Sequence, residues 1–216
     1  MDVKIINIFD FSELEKKIRQ VPLKKRSPDD PEIKIYRNAR ISLKNFYAEE
    51  VNPTSFYLLQ NGIERQKELR HQLLKKYNID TLSLKGALDI QNEKGEIWTL
   101  TPPIVEATPR RIKYQAQPQE IPYEETFKIT IPIINDGLHR VYIARETNEP
   151  FNAIFISGAL EDFPFYAHPN EWDRVKIFEN VPKTPEEKKL YSRKDCYDLY
   201  RDFGVLGCGA PRGTSK

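Results

Sequence analysis

The sequence has few of the residues that build metal sites and disulfide frameworks. Its 216 residues include only two cysteines and three histidines. Cys196 and Cys208 both lie near the C-terminus, with no histidine beside either of them in the sequence. A structural zinc site needs about four cysteine or histidine ligands, so this composition argues against zinc. It also provides no disulfide framework, and we expect a reduced, intracellular protein.

Long apolar runs and an excess of charge of one sign are also lacking. No apolar stretch reaches the roughly 20 residues that span a bilayer, and the charged opening MDVK is unlike a secretion signal. The chain has 34 Lys+Arg against 32 Asp+Glu, a net charge of +2. A protein that coats DNA usually carries a larger basic excess. We therefore expect a cytoplasmic protein without a membrane partner, and nucleic acid is not the favoured partner.

The chain does contain enough apolar residues for a core, arranged in short alternating elements. Hydrophobic residues make up 39% and aromatic residues 11% of the sequence. Helical spacing over residues 62–78 predicts a helix, and two apolar runs within residues 82–100 predict a hairpin. Residues 107–125 hold three prolines and several charges, which predicts a loop. Together the pattern predicts an α+β fold with a small mixed β-sheet and peripheral helices.

The most informative segment is residues 127–147, FKITIPIINDGLHRVYIARET. A strand pattern ends in Asn-Asp-Gly at 135–137, and a helical pattern begins at Leu138. The first N–H groups of a helix have no intrahelical partner, and the positive end of the helix dipole lies beside them. A strand that turns into a helix in this way predicts an anion site. His139 and Arg140 would lie in the first turn, close to the bound anion.

Each residue of this turn has a functional and a structural interpretation. Gly137 lets the backbone fold against a phosphate, or it is an ordinary turn glycine. Arg140 offers a planar fork of donors to phosphate oxygens, or it is a solvated helix residue. His139 is a phosphate donor or a catalytic base, or else a buried histidine that pins the turn. The Asp136 carboxylate caps the helix, which we prefer, or helps to place a metal-bound water.

Residues outside the turn are further candidates for the same site. Arg110 and Arg111 form a basic pair that would close over a phosphate, although a solvated loop surface is the simpler interpretation. Glu106 follows an apolar strand and is a candidate catalytic base. Four aromatic residues form either a base-stacking wall or, more simply, the core of the C-terminal part: Phe163, Phe165, Tyr166 and Trp172.

Three segments in the middle of the chain together resemble the ParB/sulfiredoxin superfamily. They are TPPIV at 101–105, DGLHR at 136–140 with Ala144 in the helix behind it, and the strand pattern at 150–156. In that superfamily, a strand runs into such a turn, a helix with small residues follows, and a further strand closes the unit.

The resemblance covers residues 41–156 and divides the chain into three parts. Residues 1–40 would be an N-terminal strand-helix extension and linker, residues 41–156 the ParB/sulfiredoxin-like domain, and residues 157–216 an aromatic and charged C-terminal extension. Members of the superfamily include partition proteins that bind CTP, sulfiredoxins that use ATP and a free serine kinase that uses ADP.

The resemblance implies that the turn holds the phosphates of a nucleotide (ATP, ADP or CTP) together with Mg²⁺. The residues implied are Asp136, Gly137, Leu138, His139 and Arg140. Sulfiredoxins place a reactive cysteine where this chain has Leu138, which argues against sulfiredoxin chemistry. The residues after 156 lack a helix-turn-helix pattern, which argues against chromosome partitioning.

We therefore predict a nucleotide-binding protein of bacterial type. If it is an enzyme, it is a Mg²⁺-dependent NTPase or phosphotransferase, with His139 or Glu106 as the catalytic base. The alternative is a catalytically inactive interaction or regulatory module of a bacterial or phage system, whose protein partner binds the C-terminal extension. A third hypothesis is a DNA-contacting or nuclease-like domain, against which the balanced charge argues.

Overall fold

The computed structural model describes residues 2–116, 123–194 and 196–208, without the side chains of residues 111–116, 123–125 and 127. Within this part the chain forms sheets of three, four and two strands and four α-helices, so the fold is α+β as predicted. In chain order the elements are β1 (Val3–Phe9), α1 (Phe11–Ile18), β2 (Arg40–Phe46), β3 (Tyr57–Leu59), α2 (Gln60–Tyr77), β4 (Ala87–Asn92), β5 (Ile97–Leu100), β6 (Ile104–Ala116), β7 (Tyr123–Asp136), α3 (Leu138–Thr147), β8 (Phe151–Ser157), β9 (Lys176–Phe178) and α4 (Pro185–Lys188).

The four-stranded sheet has the order β2-β8-β6-β7 and carries the segments that resemble the superfamily. β6 and β8 are parallel, and the other neighbours are antiparallel. Both faces of the sheet are covered, because Ile104 packs with α1 on one face while Val105 packs with α3 on the other. This follows from the alternation of side chains along a strand. The connection from β7 through α3 to β8 therefore lies against a sheet with a core on each side.

The three-stranded sheet has the order β1-β4-β5 and is antiparallel throughout. The predicted hairpin over residues 82–100 is confirmed as β4 and β5. The predicted helix over residues 62–78 is confirmed as α2, which ends where Asn78 adopts a left-handed conformation. α2 packs on this sheet through Leu69 and Leu73. The predicted division at residues 40 and 156 stays a prediction, although β1 from the first part pairs with β4 from the middle part.

The predicted loop over residues 107–125 is wrong for its described part. β6 and β7 continue as an antiparallel hairpin from Ala107, opposite Pro132, to Ala116, opposite Tyr123. Proline has no N–H to donate to a neighbouring strand, so a β-sheet accepts it at positions where no such hydrogen bond is needed. Pro109 lies beyond residue 107, where β8 no longer pairs with β6, and Pro132 lies on the edge strand β7. Residues 117–122 lie outside the described residues.

The C-terminal part packs on the middle of the chain with its aromatic side chains. Phe165 and Tyr166 are buried with Ile133 of β7. The Trp172 indole N–H donates to the Ala48 and Val51 carbonyls at 2.8 and 3.1 Å. The simpler interpretation of the aromatic cluster, as core, is therefore confirmed for these residues. The helices described here include none that is both long and apolar enough to cross a membrane.

Candidate functional site

A single residue, Gly137, joins the end of β7 to the start of α3. Its φ of 82° and ψ of 19° lie in the left-handed region, which glycine adopts without strain. A Cβ added at Gly137 would lie 3.0 Å from Pro103 and 3.0 Å from the Arg140 Nη2 atom. The turn therefore needs glycine both for its backbone conformation and for its close approach to these neighbours.

The N-terminus of α3 is open. The first helical hydrogen bonds run from the N–H groups of Arg140 and Val141 to the Gly137 carbonyl, at 2.9 and 3.1 Å. No side chain in the described part of the chain caps the preceding N–H groups. The prediction that Asp136 caps the helix is wrong, because Gly137 occupies the N-cap position and has no side chain. The N–H groups of Leu138 and His139 thus have no hydrogen-bond partner among the described residues.

A cavity of about 480 Å³ lies at this end of α3. α2 and the end of β5 form its walls, and the turn and a C-terminal cysteine complete the lining. The described lining residues are Arg65, Gln66, Leu69, Trp98, Thr99, Leu100, Thr101, Asn135, Asp136, Gly137, Leu138, His139, Arg140 and Cys208. The five predicted residues from Asp136 to Arg140 are therefore together in one cavity.

Arg140 brings a buried positive charge to this cavity. Its side chain is only 5% exposed, and its Nη1 group donates to the Thr101 carbonyl. Burial lowers the pKa of Arg140, and the nearby Asp136 carboxylate acts in the opposite direction. An arginine keeps its proton through shifts of this kind. The wall of the cavity is therefore cationic beside the open end of α3.

His139 connects α3 to the start of α2. Its Nε2 atom accepts a hydrogen bond from the Leu59 N–H at 3.3 Å, so Nε2 is unprotonated in this arrangement. Burial lowers the pKa of His139, and the positive charge of Arg65 lowers it further. A Cβ added at Gly62 would lie 2.5 Å from Nε2. This is the geometry of a neutral histidine that pins the turn.

Arg65 is a cavity residue that sequence reasoning missed. It lies on the exposed side of α2, and within the described residues no carboxylate pairs with it. In the sequence it is one charge among many on an amphipathic helix, with no local signal of function. Only the packing of α2 beside α3 brings it to the same cavity as Arg140.

Glu106 lies in the interior and does not line this cavity. It is 1% exposed, and its carboxylate pairs with Arg201 at 2.8 and 3.1 Å. The same carboxylate accepts from the Tyr36 hydroxyl at 2.6 Å and from the Asn135 amide at 2.9 Å. Glu106 therefore connects to the cavity through Asn135 and not directly.

The described member of the predicted basic pair, Arg110, lies outside the cavity. The Arg110 Nη2 group donates to the Ala167 carbonyl at 3.0 Å, and burial lowers the pKa of Arg110. Arg110 is not among the lining residues. The Arg111 side chain lies outside the described residues. For metal binding, no group of three His, Cys, Asp or Glu side chains occurs within the described ranges.

A second, smaller cavity of about 160 Å³ adjoins the first. The two cavities share Asn135, Asp136 and Cys208. The C-terminal part of the chain supplies most of the remaining wall, which consists of Phe165, Tyr166, Tyr200, Arg201, Asp202, Phe203 and Gly204. Two of these residues, Phe165 and Tyr166, belong to the aromatic cluster for which the sequence left two interpretations, a base-stacking wall or, preferably, the core of the C-terminal part.

A comparison with protein-family models finds one for the ParB CE domain, which matches residues 13–176. No curated protein and no solved structure matches the chain. The match covers well over half of the sequence and includes β6, β7, α3 and β8. It supports the ParB part of the resemblance, and the sulfiredoxin part stays a prediction.

Proposed function

We propose that this chain, which belongs to the ParB CE domain family, binds the phosphate groups of a nucleotide in the cavity at the N-terminus of α3. One observation supports this proposal more than any other. The open N–H groups of Leu138 and His139 and the charges of Arg65 and Arg140 surround the same cavity. Together they match the needs of a phosphate, which accepts hydrogen bonds and carries negative charge.

The two arginines offer complementary contributions. Arg140 is buried and pre-oriented beside Gly137, so little side-chain freedom is lost when it contacts a phosphate. Arg65 is exposed, so it can reach outward toward a terminal phosphate at the cost of some side-chain ordering. A hydrogen bond to a charged group contributes about 1.5–3 kcal/mol when it is well formed. Arg140 is therefore the stronger of the two proposed contacts.

Asp136 accounts for the Mg²⁺ that we include in the proposal. It is the one acidic residue among the described residues that line the cavity. A carboxylate beside a phosphate is repulsive on its own, but Mg²⁺ is commonly bound by one or two carboxylates together with substrate phosphates. Mg²⁺ would neutralise charge between the two groups. We therefore propose that nucleotide binding depends on Mg²⁺ and that Asp136 is the source of this dependence.

The geometry supports binding better than turnover. His139 uses Nε2 as an acceptor for the Leu59 N–H, and Glu106 is enclosed by Tyr36, Asn135 and Arg201. Neither is positioned as a base with free access to an attacking group. Hydrolysis and phosphoryl transfer are therefore not part of the main proposal.

Calorimetric titration with ATP, ADP, CTP and GTP, each with and without Mg²⁺, tests the proposal. Arg65→Ala should weaken binding about tenfold, because the residue is exposed and its loss removes one phosphate contact. Lys75→Ala is the matched control, since Lys75 is an exposed cation of the same helix that does not line the cavity. Absence of binding by every nucleotide at millimolar concentration with Mg²⁺ would contradict the proposal.

A further inference from the structure

We infer that Tyr36 is a positioning residue for the proposed phosphate site and acts on it through Glu106 and Asn135. This inference rests on the proposed function, because it concerns the same turn between β7 and α3. Tyr36 lines neither of the two cavities and lies 99 residues before Asn135 in the sequence. Any effect of its hydroxyl on a bound phosphate must therefore pass through other residues.

Asn135 is an extra residue in β7, directly before the turn. Ile134 lies opposite Val105 of β6. Two residues later, Asp136 lies opposite Ile104, which is the adjacent residue of β6, so Asn135 has no partner on that strand. Such a β-bulge bends its strand and redirects the residues that follow. The conformation at Asn135 therefore determines the direction in which the turn leaves the sheet.

The Asn135 side chain is held by a closed triangle of hydrogen bonds. Its Nδ2 group donates to the Glu106 carboxylate at 2.9 Å and to the Tyr36 hydroxyl oxygen at 3.0 Å. The Tyr36 hydroxyl in turn donates to the same Glu106 oxygen at 2.6 Å. Because a carboxylate only accepts hydrogen bonds, the amide nitrogen must face Glu106. The triangle thus fixes both the position and the rotation of the amide.

The hydroxyl of Tyr36 is a permanent member of this triangle. Tyr36 and Glu106 are both fully enclosed, with at most 1% of either residue exposed. Burial raises the pKa of Tyr36, and the negative charge of Glu106 raises it further. The hydroxyl therefore keeps its proton and continues to donate to Glu106. Since the two groups have almost no contact with solvent, water is not at hand to replace the hydroxyl.

Arg201 holds the Glu106 carboxylate from the other side. Its Nε and Nη2 groups donate to the two carboxylate oxygens at 3.1 and 2.8 Å. Its Nη1 group donates to the backbone carbonyls of Pro164 and Leu199, so the guanidinium is itself fixed by the C-terminal part of the chain. Glu106 is therefore an anchored acceptor, and Asn135 is attached through it to a rigid group.

Loss of the Tyr36 hydroxyl would loosen the turn. The Asn135 amide would keep only its hydrogen bond to Glu106 and would be able to rotate about it. The turn after the bulge would then adopt more orientations, of which only some place the N–H groups of Leu138 and His139 toward a phosphate. The apparent affinity of a site falls with the fraction of molecules in the conformation that binds. Tyr36 therefore contributes to affinity without touching the ligand.

Tyr36→Phe is the diagnostic variant, because it removes the hydroxyl and keeps the buried ring. Calorimetry with ATP, ADP, CTP and GTP in Mg²⁺ measures the affinity of each nucleotide that binds the wild type. We expect the dissociation constant to rise about fivefold, as for the loss of one hydrogen bond that orders the turn. Ile35→Val is the matched control, since Ile35 is a buried residue of the same core cluster. It should loosen the core and leave the affinity unchanged.

Two further measurements separate positioning from a general loss of stability. In NMR spectra, the backbone amide signals of Leu138 and His139 should shift in Tyr36→Phe and stay in place in Ile35→Val. In the background of Asn135→Ala, the Tyr36→Phe change should no longer alter affinity, because the route to the turn is already broken. Thermal melting checks that all variants are folded.

The outcomes separate this inference from the proposed function. A lower affinity in Tyr36→Phe that is absent in Ile35→Val and disappears in the Asn135→Ala background supports the inference. Unchanged affinity or unmoved amide signals in Tyr36→Phe, an equal loss in Ile35→Val, or a loss that persists in full in the Asn135→Ala background overturns it while phosphate binding stands. Failure of every nucleotide to bind the wild type contradicts the proposed function and removes this inference with it.

Discussion

Arg140 and Arg201 are both buried arginines, at 5% and 2% exposure, yet their surroundings differ sharply. Arg201 has its five donors satisfied and is paired with Glu106. The Arg140 guanidinium makes one hydrogen bond to the described residues, to the Thr101 carbonyl. Burial acts to lower the pKa of both arginines. The pKa of Arg201 is nevertheless raised, because Glu106 stabilises its charge. The pKa of Arg140 is lowered, although the charge of Asp136 acts to raise it.

The difference indicates two distinct roles. A buried ion pair whose hydrogen bonds are all made has a structural role in the interior. Removing one partner leaves the charge of the other buried and unpaired. A buried charge with unused donors beside a cavity is suited to a ligand that completes its hydrogen bonds. Arg201 therefore holds the C-terminal part on the sheet, and Arg140 is the residue to which the account assigns phosphate binding.

The largest effect on stability should come from Arg201→Met. The change leaves the Glu106 carboxylate buried without its cation, so the free energy of unfolding should fall by about 3–5 kcal/mol. Urea denaturation measures this change. Arg193→Met, which removes an exposed ion pair with Asp198, is the control and should cost less than about 1 kcal/mol. Similar costs for the two variants would contradict the structural role of Arg201.

Arg140→Met should reduce nucleotide affinity strongly and stability only moderately. Nucleotide affinity should fall about 100-fold, because a charge-assisted contact of about 1.5–3 kcal/mol is lost at the phosphates. The loss of stability should be smaller than in Arg201→Met, since no buried carboxylate is left unpaired by the change. Calorimetry and urea denaturation on the same preparations measure both quantities. Unchanged affinity in a folded variant would remove Arg140 from the site.

Asp136→Asn should alter the dependence on Mg²⁺ more than the fold. Without the carboxylate, a nucleotide in EDTA no longer meets a negative charge, so Mg²⁺-free affinity should rise about tenfold. The gain from adding Mg²⁺ should shrink accordingly. Titrations in EDTA and in Mg²⁺ give the two affinities. A variant that keeps the wild-type Mg²⁺ dependence would show that the ion is not held at Asp136.

The smallest effect concerns pH and His139. Because its pKa is lowered in the folded protein, the unfolded chain takes up a proton first as the pH falls below about 6.5, the ordinary pKa of histidine. Stability should therefore be unaffected at neutral pH and should decrease as the pH falls from there toward the lowered pKa. His139→Gln, which keeps an acceptor for Leu59, should reduce this acid sensitivity.

Exposed His71 on α2 provides the control for the pH measurement. His71→Gln should leave the pH profile of thermal unfolding close to that of the wild type, because the side chain is in contact with solvent. An identical profile in His139→Gln and the wild type would contradict the assignment of His139 as a neutral, buried residue in the turn.

Sequence reasoning located the turn because its signal is local. Residues 136–140 are contiguous, and a strand that passes through glycine into a helix has a recognisable pattern. Arg65, Trp98 and Cys208 also line the cavity, but they come from three separate parts of the chain and only tertiary packing brings them together. The spacing of residues in a single sequence does not show that such distant residues lie together.

The errors have physical causes as well. Asp136 was predicted to cap α3 because a carboxylate can accept from helix N–H groups, whereas the N-cap is the following residue, Gly137. The loop predicted over residues 107–125 treated proline as a strand breaker, whereas Pro109 lies beyond the pairing of β8 with β6 and Pro132 lies on the outermost strand of the sheet, β7. Glu106 was selected for its place after an apolar strand. Its side chain lies on the same face as Ile104, where Tyr36 and Arg201 enclose it.

The most direct test of the account is alkylation of the two cysteines in the presence of nucleotide and Mg²⁺. Cys208 lines both cavities, whereas Cys196 lines neither, and both are partly exposed. Mass spectrometry can follow each thiol separately in the same sample. A saturating nucleotide should slow the alkylation of Cys208 and leave that of Cys196 unchanged. Saturable nucleotide binding with no protection of Cys208 would place the ligand elsewhere and contradict the central claim.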